Sequence, residues 1–421
     1  MTDMMRRVAV TGVGVVSPLG SDKNIFWNGL LEGRSAIEKV TKLDPNLYPR
    51  NLAAEIKDWD QLPEADDPSL KPYGQAVAYS VAASRMALHD AGLEAVTDVH
   101  NNYDVLIGTT MGNQDIVERI INEYDLSESD PLKDIRAKDL GHFSASLLST
   151  EVARRFGFKG SALTFVNACA AGNYAVGTAF DRIRTGRSKM ILAGGADPFS
   201  RTCYTIFHRL NASSGDACRP FDQERNGMVV GEGAAMLVLE DYEHARNRGA
   251  NIYAEVTGYA LTCDAYHATA PHPEGHGAIK AMKRALHVAG LSPDQIDYVS
   301  AHGTGTAAND QSEATALHDV FGDRLPLIPV SSIKSMIGHC MGAASAFEAV
   351  ACAMAIHHQR LPPTINTTMV DSAFPSAMDV VPGKSRNSPV NHVMSNAFAF
   401  GGNVSSIILS RLAPDDSNRV H

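Results

Sequence analysis

Apolar residues recur along this chain in two rhythms. Short continuous runs such as Val8-Ala-Val-Thr-Gly-Val-Gly-Val-Val16, closed by Ser17-Pro18, predict buried strands ending in turns. Between them lie stretches with helical spacing, and the alternation predicts an α/β fold. One such pairing occurs twice. Arg85-Met-Ala-Leu-His-Asp-Ala-Gly-Leu93 precedes the strand-like Tyr103-Asp-Val-Leu-Ile-Gly108, and Lys283-Arg-Ala-Leu-His-Val-Ala-Gly-Leu291 precedes Ile296-Asp-Tyr-Val-Ser-Ala301. Each is a helix closed by glycine, then a turn, then a buried strand. A second echo links Leu163-Thr-Phe-Val166, which leads into Asn167-Ala-Cys-Ala-Ala-Gly172, with Leu327-Ile-Pro-Val330, which leads into Ser331 to Gly342. The chain therefore reads as duplicated α/β halves, 1–255 and 256–421, with a polar elbow at a helix start in each. Back to back, the elbows would share one crevice. Residues 414–421 read as a loose polar tail.

Composition narrows this only slightly. Of 421 residues, 44% are hydrophobic and 20% charged, as in an ordinary globular enzyme. A net charge of -10 argues against broad nucleic-acid binding, and no apolar run approaches a membrane span. The six cysteines show no metal-type spacing and are too sparse for a disulfide framework, so a cytoplasmic location and no metal are expected.

Candidate chemistry collects at the elbows. Cys169 stands between a strand and a small-residue helix, where a helix N-terminus favours the thiolate. His302 lies in Ala301-His-Gly-Thr-Gly-Thr306, a loop that is neither a P-loop nor a dinucleotide fingerprint. His339 lies in Lys334-Ser-Met-Ile-Gly-His-Cys-Met-Gly342. Glu313 sits near a helix start, as a cap or as the partner of Lys334. Phe400, before Gly401-Gly402, is a core aromatic or a movable gate. A cysteine protease needs one histidine beside its nucleophile, which would leave a histidine and the lysine unused. Carbon–carbon bond formation uses all of them: a thiolate to hold an acyl group and two neutral imidazoles to stabilise an enolate oxygen.

From Val8 to Asn403 the chain resembles the β-ketoacyl-acyl carrier protein synthases, the elongating type II condensing enzymes and type II polyketide ketosynthases. The resemblance rests on Asn167 to Gly172, Arg219 to Glu240, Cys263-Asp-Ala-Tyr-His-Ala-Thr-Ala-Pro271, His302 to Thr306, Lys334 to His339 and the closing Phe400-Gly-Gly402. It implies a duplicated thiolase-like fold in α-β-α-β-α layers and a decarboxylative condensation with malonyl-acyl carrier protein. Cys169 would be the acylated nucleophile, with His302 and His339 on the malonyl thioester carbonyl and Lys334, paired with Glu313, behind them. The backbone N–H groups of Cys169 and Phe400 would form the oxyanion hole. Thr304 and Thr306 would hold the phosphopantetheine arm, Asp264 would belong to the loop moving with the gate, and Met111 would line the acyl pocket. No cofactor is implied beyond the carrier's phosphopantetheine. The partners implied are an acyl carrier protein and a second chain, either identical or a homologous ketosynthase-like one. Where that pattern closes Phe-Gly-Phe-Gly-Gly-Thr-Asn, this chain has Ala399 and Asn403-Val404. That tilts the reading toward a specialised polyketide or fatty acid pathway, with housekeeping elongation as the alternative. Cys169 argues against a non-catalytic chain-length partner, and the paired histidine motifs argue against a degradative thiolase.

Overall fold

The structure, a computed structural model, describes residues 5–93, 102–123 and 141–413; the tail at 414–421 lies outside them. Ten strands form its main sheet: β1 Val8–Val16, β2 Asp104–Gly108, β3 Ala162–Phe165, β4 Met190–Asp197, β5 Gly233–Asp241, β6 Ala254–Cys263, β7 Tyr298–Ser300, β8 Val330–Ser331, β9 His392–Phe398 and β10 Asn403–Ser410. Their order is β8-β7-β9-β10-β6-β1-β5-β4-β2-β3. Adding five to each strand of the run 3-2-4-5-1 gives 8-7-9-10-6, so the halves are the same unit joined back to back. The directions repeat as well. β2 runs parallel to β3 and β4, while β4–β5 and β5–β1 are antiparallel. β7 runs parallel to β8 and β9, while β9–β10 and β10–β6 are antiparallel. The two halves join through Val8–Val256, Ala9–Glu255 and Val10–Ala254.

Strand alternation sets the layers, since neighbouring side chains leave opposite faces of a sheet. Leu106, Ile191, Leu237 and Leu409 turn inward and pack with the helices Ala171–Arg184 and Ala344–His358. Val105, Ile107, Leu192 and Val238 turn the other way, onto the helices Gln75–Asp90 and Leu147–Phe156. In the second half Val299, Val330, Met394 and Ile408 face His276–Ala289 and Ala307–Phe321. The two halves of the sheet close over these middle helices, so five layers result, helix-sheet-helix-sheet-helix, as the family resemblance implies. One detail differs. The run Leu327 to Val330 is only partly strand, because Gly322–Leu327 forms a 3-10 turn containing Pro326, which has no N–H for a ladder.

The two middle helices meet almost without side chains. A Cβ on Gly172 would lie 2.7 Å from the Ala346 nitrogen, and the Asn173 N–H donates to Ser345 Oγ at 3.0 Å. Each helix is preceded by a 3-10 turn, Ala168–Ala170 in one half and Met341–Ala343 in the other. Both turns open on a residue in the left-handed region, Ala168 at φ 50 and Met341 at φ 51. Such conformations cost energy for residues with a Cβ and need their surroundings to hold them. These are the two elbows, and they lie at the centre of the molecule.

Candidate active site

The first elbow presents Cys169, which is 5% exposed. With His302, His339, Thr304, Thr306 and Phe400 it lines a cavity of about 320 Å³. Placement at a helix start was expected to lower the thiol pKa, but the balance falls the other way. Burial pushes it up to about 12 despite the nearby Lys334 ammonium, so the resting group is a protonated thiol.

His302 follows β7, and its loop is clamped from the helix Ala307–Phe321. The Glu313 carboxylate accepts the His302 and Gly303 N–H groups, both at 2.8 Å, and Asp310 accepts those of Thr304 and Gly305 at 3.1 and 3.2 Å. Gly303 and Gly305 take φ 36 and 77, which this tight loop requires. His339 is held from the opposite half: its N–H donates to Val229 O at 2.6 Å and its carbonyl accepts from Gly231.

The imidazole rings of His302 and His339 lie nearly perpendicular, centroids 5.4 Å apart. Burial and the Lys334 charge hold both well below the usual histidine pKa, so both are neutral. The tautomers follow from the hydrogen bonds. Lys334 Nζ lies 3.3 Å from His302 Nδ1, and the Met341 N–H donates to His339 Nδ1 at 3.2 Å. An Nδ1 that accepts leaves the proton on Nε2, so each ring carries one Nε2–H donor.

Lys334 corrects the sequence reading. Its partner is Glu348, not Glu313, and both side chains of the pair are 1% exposed. Lys334 also donates to His302 O at 2.7 Å. Glu313 serves the His302–Gly303 backbone instead, and burial lifts its carboxyl to about 8. Glu348 was missed, although a lone carboxylate in the apolar stretch Ala344–His358 was a usable signal. Asp197 was missed too. Buried at the end of β4, it accepts from Thr110 N, Met111 N, Gly342 N and Thr109 Oγ1.

Phe400 stacks near Phe207, centroids 5.5 Å apart. Gly401 and Gly402 supply the positive φ angles, 75 and 72, while Ala399 is extended at φ −143, a conformation any residue adopts. Replacing glycine at 399 therefore leaves the turn intact. Asp264 joins the next loop to this turn: its N–H donates to Gly402 O at 2.9 Å, and the Gly401 N–H donates to Ala268 O at 2.8 Å. Met111 lies outside the cavity lining, in the apolar cluster that also packs Phe400. Lys334, Glu313 and Asp264 likewise stand behind the lining.

Residues 5–245 match the family model of the β-ketoacyl synthase N-terminal domain, and residues 253–368 match that of its C-terminal domain. The chain belongs to the β-ketoacyl synthase family. This synthase is thus a condensing acyltransferase. It is 38% identical to 3-oxoacyl-(acyl-carrier-protein) synthase 2 of Synechocystis sp., over 94% of this chain and 96% of that protein. It is 39% identical to putative polyketide beta-ketoacyl synthase 1 of Streptomyces cyaneus, over 97% and 98%. Its fold matches the solved ishigamide ketosynthase/chain length factor with a TM-score of 0.90, at 40% identity, over 97% of this chain and 100% of that one. Among the described residues of the synthase, no helix is long and apolar enough to cross a membrane.

Proposed function

We propose that this synthase joins an acyl group carried on Cys169 to the enolate of a malonyl unit delivered by an acyl carrier protein. The observation that carries the reading is the pair of neutral, Nε2-protonated histidines beside a thiol in one cavity. In the first half-reaction the Cys169 sulfur attacks the acyl thioester and the carrier's thiol leaves with the proton the cysteine gives up. The transient oxyanion is held by the N–H groups of Cys169 and Phe400. In the second, malonyl loses carbon dioxide and its electron pair forms an enolate. His302 and His339 donate their Nε2–H groups to the enolate oxygen. The enolate carbon then attacks the acyl-Cys169 carbonyl, the C–C bond forms, the C–S bond breaks and the thiolate takes a proton from solvent. A neutral donor pair suits this task, because a cationic imidazole would hold the malonyl carboxylate and oppose its loss.

Thr304 and Thr306, with hydroxyls 2.9 Å apart, line the route taken by the phosphopantetheine arm. Phe400 acts as the gate, tied to Asp264, and Met111 limits the acyl chain. The substrates are thioesters on the carrier, and no cofactor is required. The relatives' names support both elongation of fatty acids and polyketide assembly. The departure at Asn403-Val404 favours a specialised pathway, in the cytoplasm, as a homodimer or with a homologous chain. Residues 1–255 supply the nucleophile and 256–421 the histidines and lysine.

Intact-protein mass spectrometry after incubation with an acylated carrier tests the reading. Wild type should gain one acyl group, and Cys169→Ala should gain none while still releasing carbon dioxide from the malonyl carrier. An adduct on Cys169→Ala, or continued chain elongation by it, would overturn the assignment.

A further inference from the structure

The loop behind the gate ends in His272-Pro-Glu-Gly-His276, three potential ligands at alternate positions. One donor atom from each of His272, Glu274 and His276 comes within 4.8 Å of the others. Glu274 Oε2 lies 2.9 Å from His276 Nε2, and the two imidazoles stack with centroids 4.0 Å apart. The Tyr266 ring sits 4.9 Å from His272. The three side chains are partly or fully exposed, open to an ion from solvent.

The backbone that gathers them is fixed. Gly275 takes φ 65 and donates to His272 O at 2.9 Å; a Cβ there would meet Ser312 O and Ala316 Cβ at 2.8 Å. Ser312 Oγ donates to His272 O at 2.8 Å, and the His272 N–H donates to Asp264 at 3.0 Å. The turn is therefore pinned to the helix Ala307–Phe321 on one side and to Asp264 on the other. No step proposed for the reaction uses any of the three ligands.

We propose that His272, Glu274 and His276 form a surface site for a divalent cation of the zinc class. Two imidazoles, one carboxylate and a water complete a tetrahedral set, which suits zinc; nickel and copper prefer square-planar sets, and magnesium and calcium prefer oxygen donors. Bound there, the ion ties the loop to the first turn of His276–Ala289. Lys280, one helical turn beyond His276, places a positive charge on the same face and keeps the affinity below that of a buried structural zinc site.

The test is a zinc titration of the full chain carrying Cys263→Ser, which removes an exposed thiol, in competition with a chromogenic chelator. One zinc should bind per chain, and magnesium should not compete. His276→Ala, a change at an exposed residue, should weaken binding more than about 100-fold, beyond what the loss of an outer-shell partner costs. Zinc should also slow amide exchange across residues 264–276, and should fail to do so in His276→Ala. The proposal falls if no saturable zinc uptake occurs, if His276→Ala binds as tightly as its parent, or if exchange in the loop ignores the metal.

Discussion

Replacing Glu348 by glutamine should damage this synthase in two separable ways. The carboxylate neutralises Lys334, and both side chains are 1% exposed. Removing one partner of a buried ion pair costs about 3–5 kcal/mol. Lys334 keeps two neutral acceptors, His302 O at 2.7 Å and His302 Nδ1 at 3.3 Å, so the loss should fall near the lower end, ~3 kcal/mol. The second effect is chemical. Glu348 holds Lys334 Nζ beside the His302 ring, so without it Nδ1 loses the fixed donor that keeps it an acceptor. With that donor displaced, Nδ1 is free to carry the ring proton, which moves it off Nε2 and takes one donor from the enolate oxygen. Losing one such donor costs roughly 10²–10³ in rate. Carbon dioxide release from the malonyl carrier measures the chemistry, and thermal unfolding measures the stability. The double replacement Lys334→Met/Glu348→Met separates the two, since an apolar pair of similar volume should restore the fold but not the tautomer. Wild-type decarboxylation by Glu348→Gln, or its recovery in the double variant, would refute the coupling of the ion pair to His302.

The folded Glu313 carboxyl keeps its proton up to about 8, against 4.5 when exposed, so the native state binds more protons across that window. Its contribution to stability is thus lost as pH rises, at up to about 1.4 kcal/mol per pH unit, and Glu313→Gln should flatten that slope in urea unfolding. Met111→Ala should lengthen the acyl chains accepted and Met111→Trp shorten them, read from product masses; an unchanged profile in both would remove Met111 from the acyl pocket. A Cβ on Gly108 would lie 2.1 Å from the Ala171 carbonyl carbon. Gly108→Ala should therefore lower the unfolding free energy by about 1–3 kcal/mol or more and slow acylation of Cys169.

Much of the architecture was legible because the duplicated halves repeat both their apolar rhythm and their glycine stops. Val8–Val16 is a strand with the boundaries its apolar run marks, and the paired motifs ending in Leu93 and Leu291 occupy equivalent helix ends. Cys169, His302 and His339 were legible through small, glycine-rich neighbours that only a crowded elbow requires. What stayed hidden was which acid meets which base. Glu313 lies nearer than Glu348 to the His302 loop in sequence, yet its carboxylate is consumed by two backbone donors before it can reach Lys334. Pairing of this kind depends on the crossing of helices, which no local pattern encodes. The Cys169 pKa was misjudged for a similar reason: a helix end is visible in sequence, but the depth at which it is buried is not.

A symmetric fold carrying asymmetric chemistry must hold its two elbows in register, and Asp197 is placed to do so. It stands at the end of β4, in the half that carries the nucleophile, yet it accepts the Gly342 N–H at 2.6 Å from the other half. The same carboxylate accepts from Thr110 and Met111, the latter part of the apolar cluster that packs Phe400. One buried acid thus connects the Cys169 half, the turn that follows His339 and the residue proposed to limit chain length. Burial raises it to about 6, offset by its four donors, so it is mostly ionised at neutral pH. Fixing the second elbow from the first half is what lets His339 meet a thiol that lies 170 residues earlier in the chain, at 169. A substitution at Asp197 should consequently disturb both the proposed decarboxylation by His339 and the chain-length role proposed for Met111, although the residue lies outside the cavity lining.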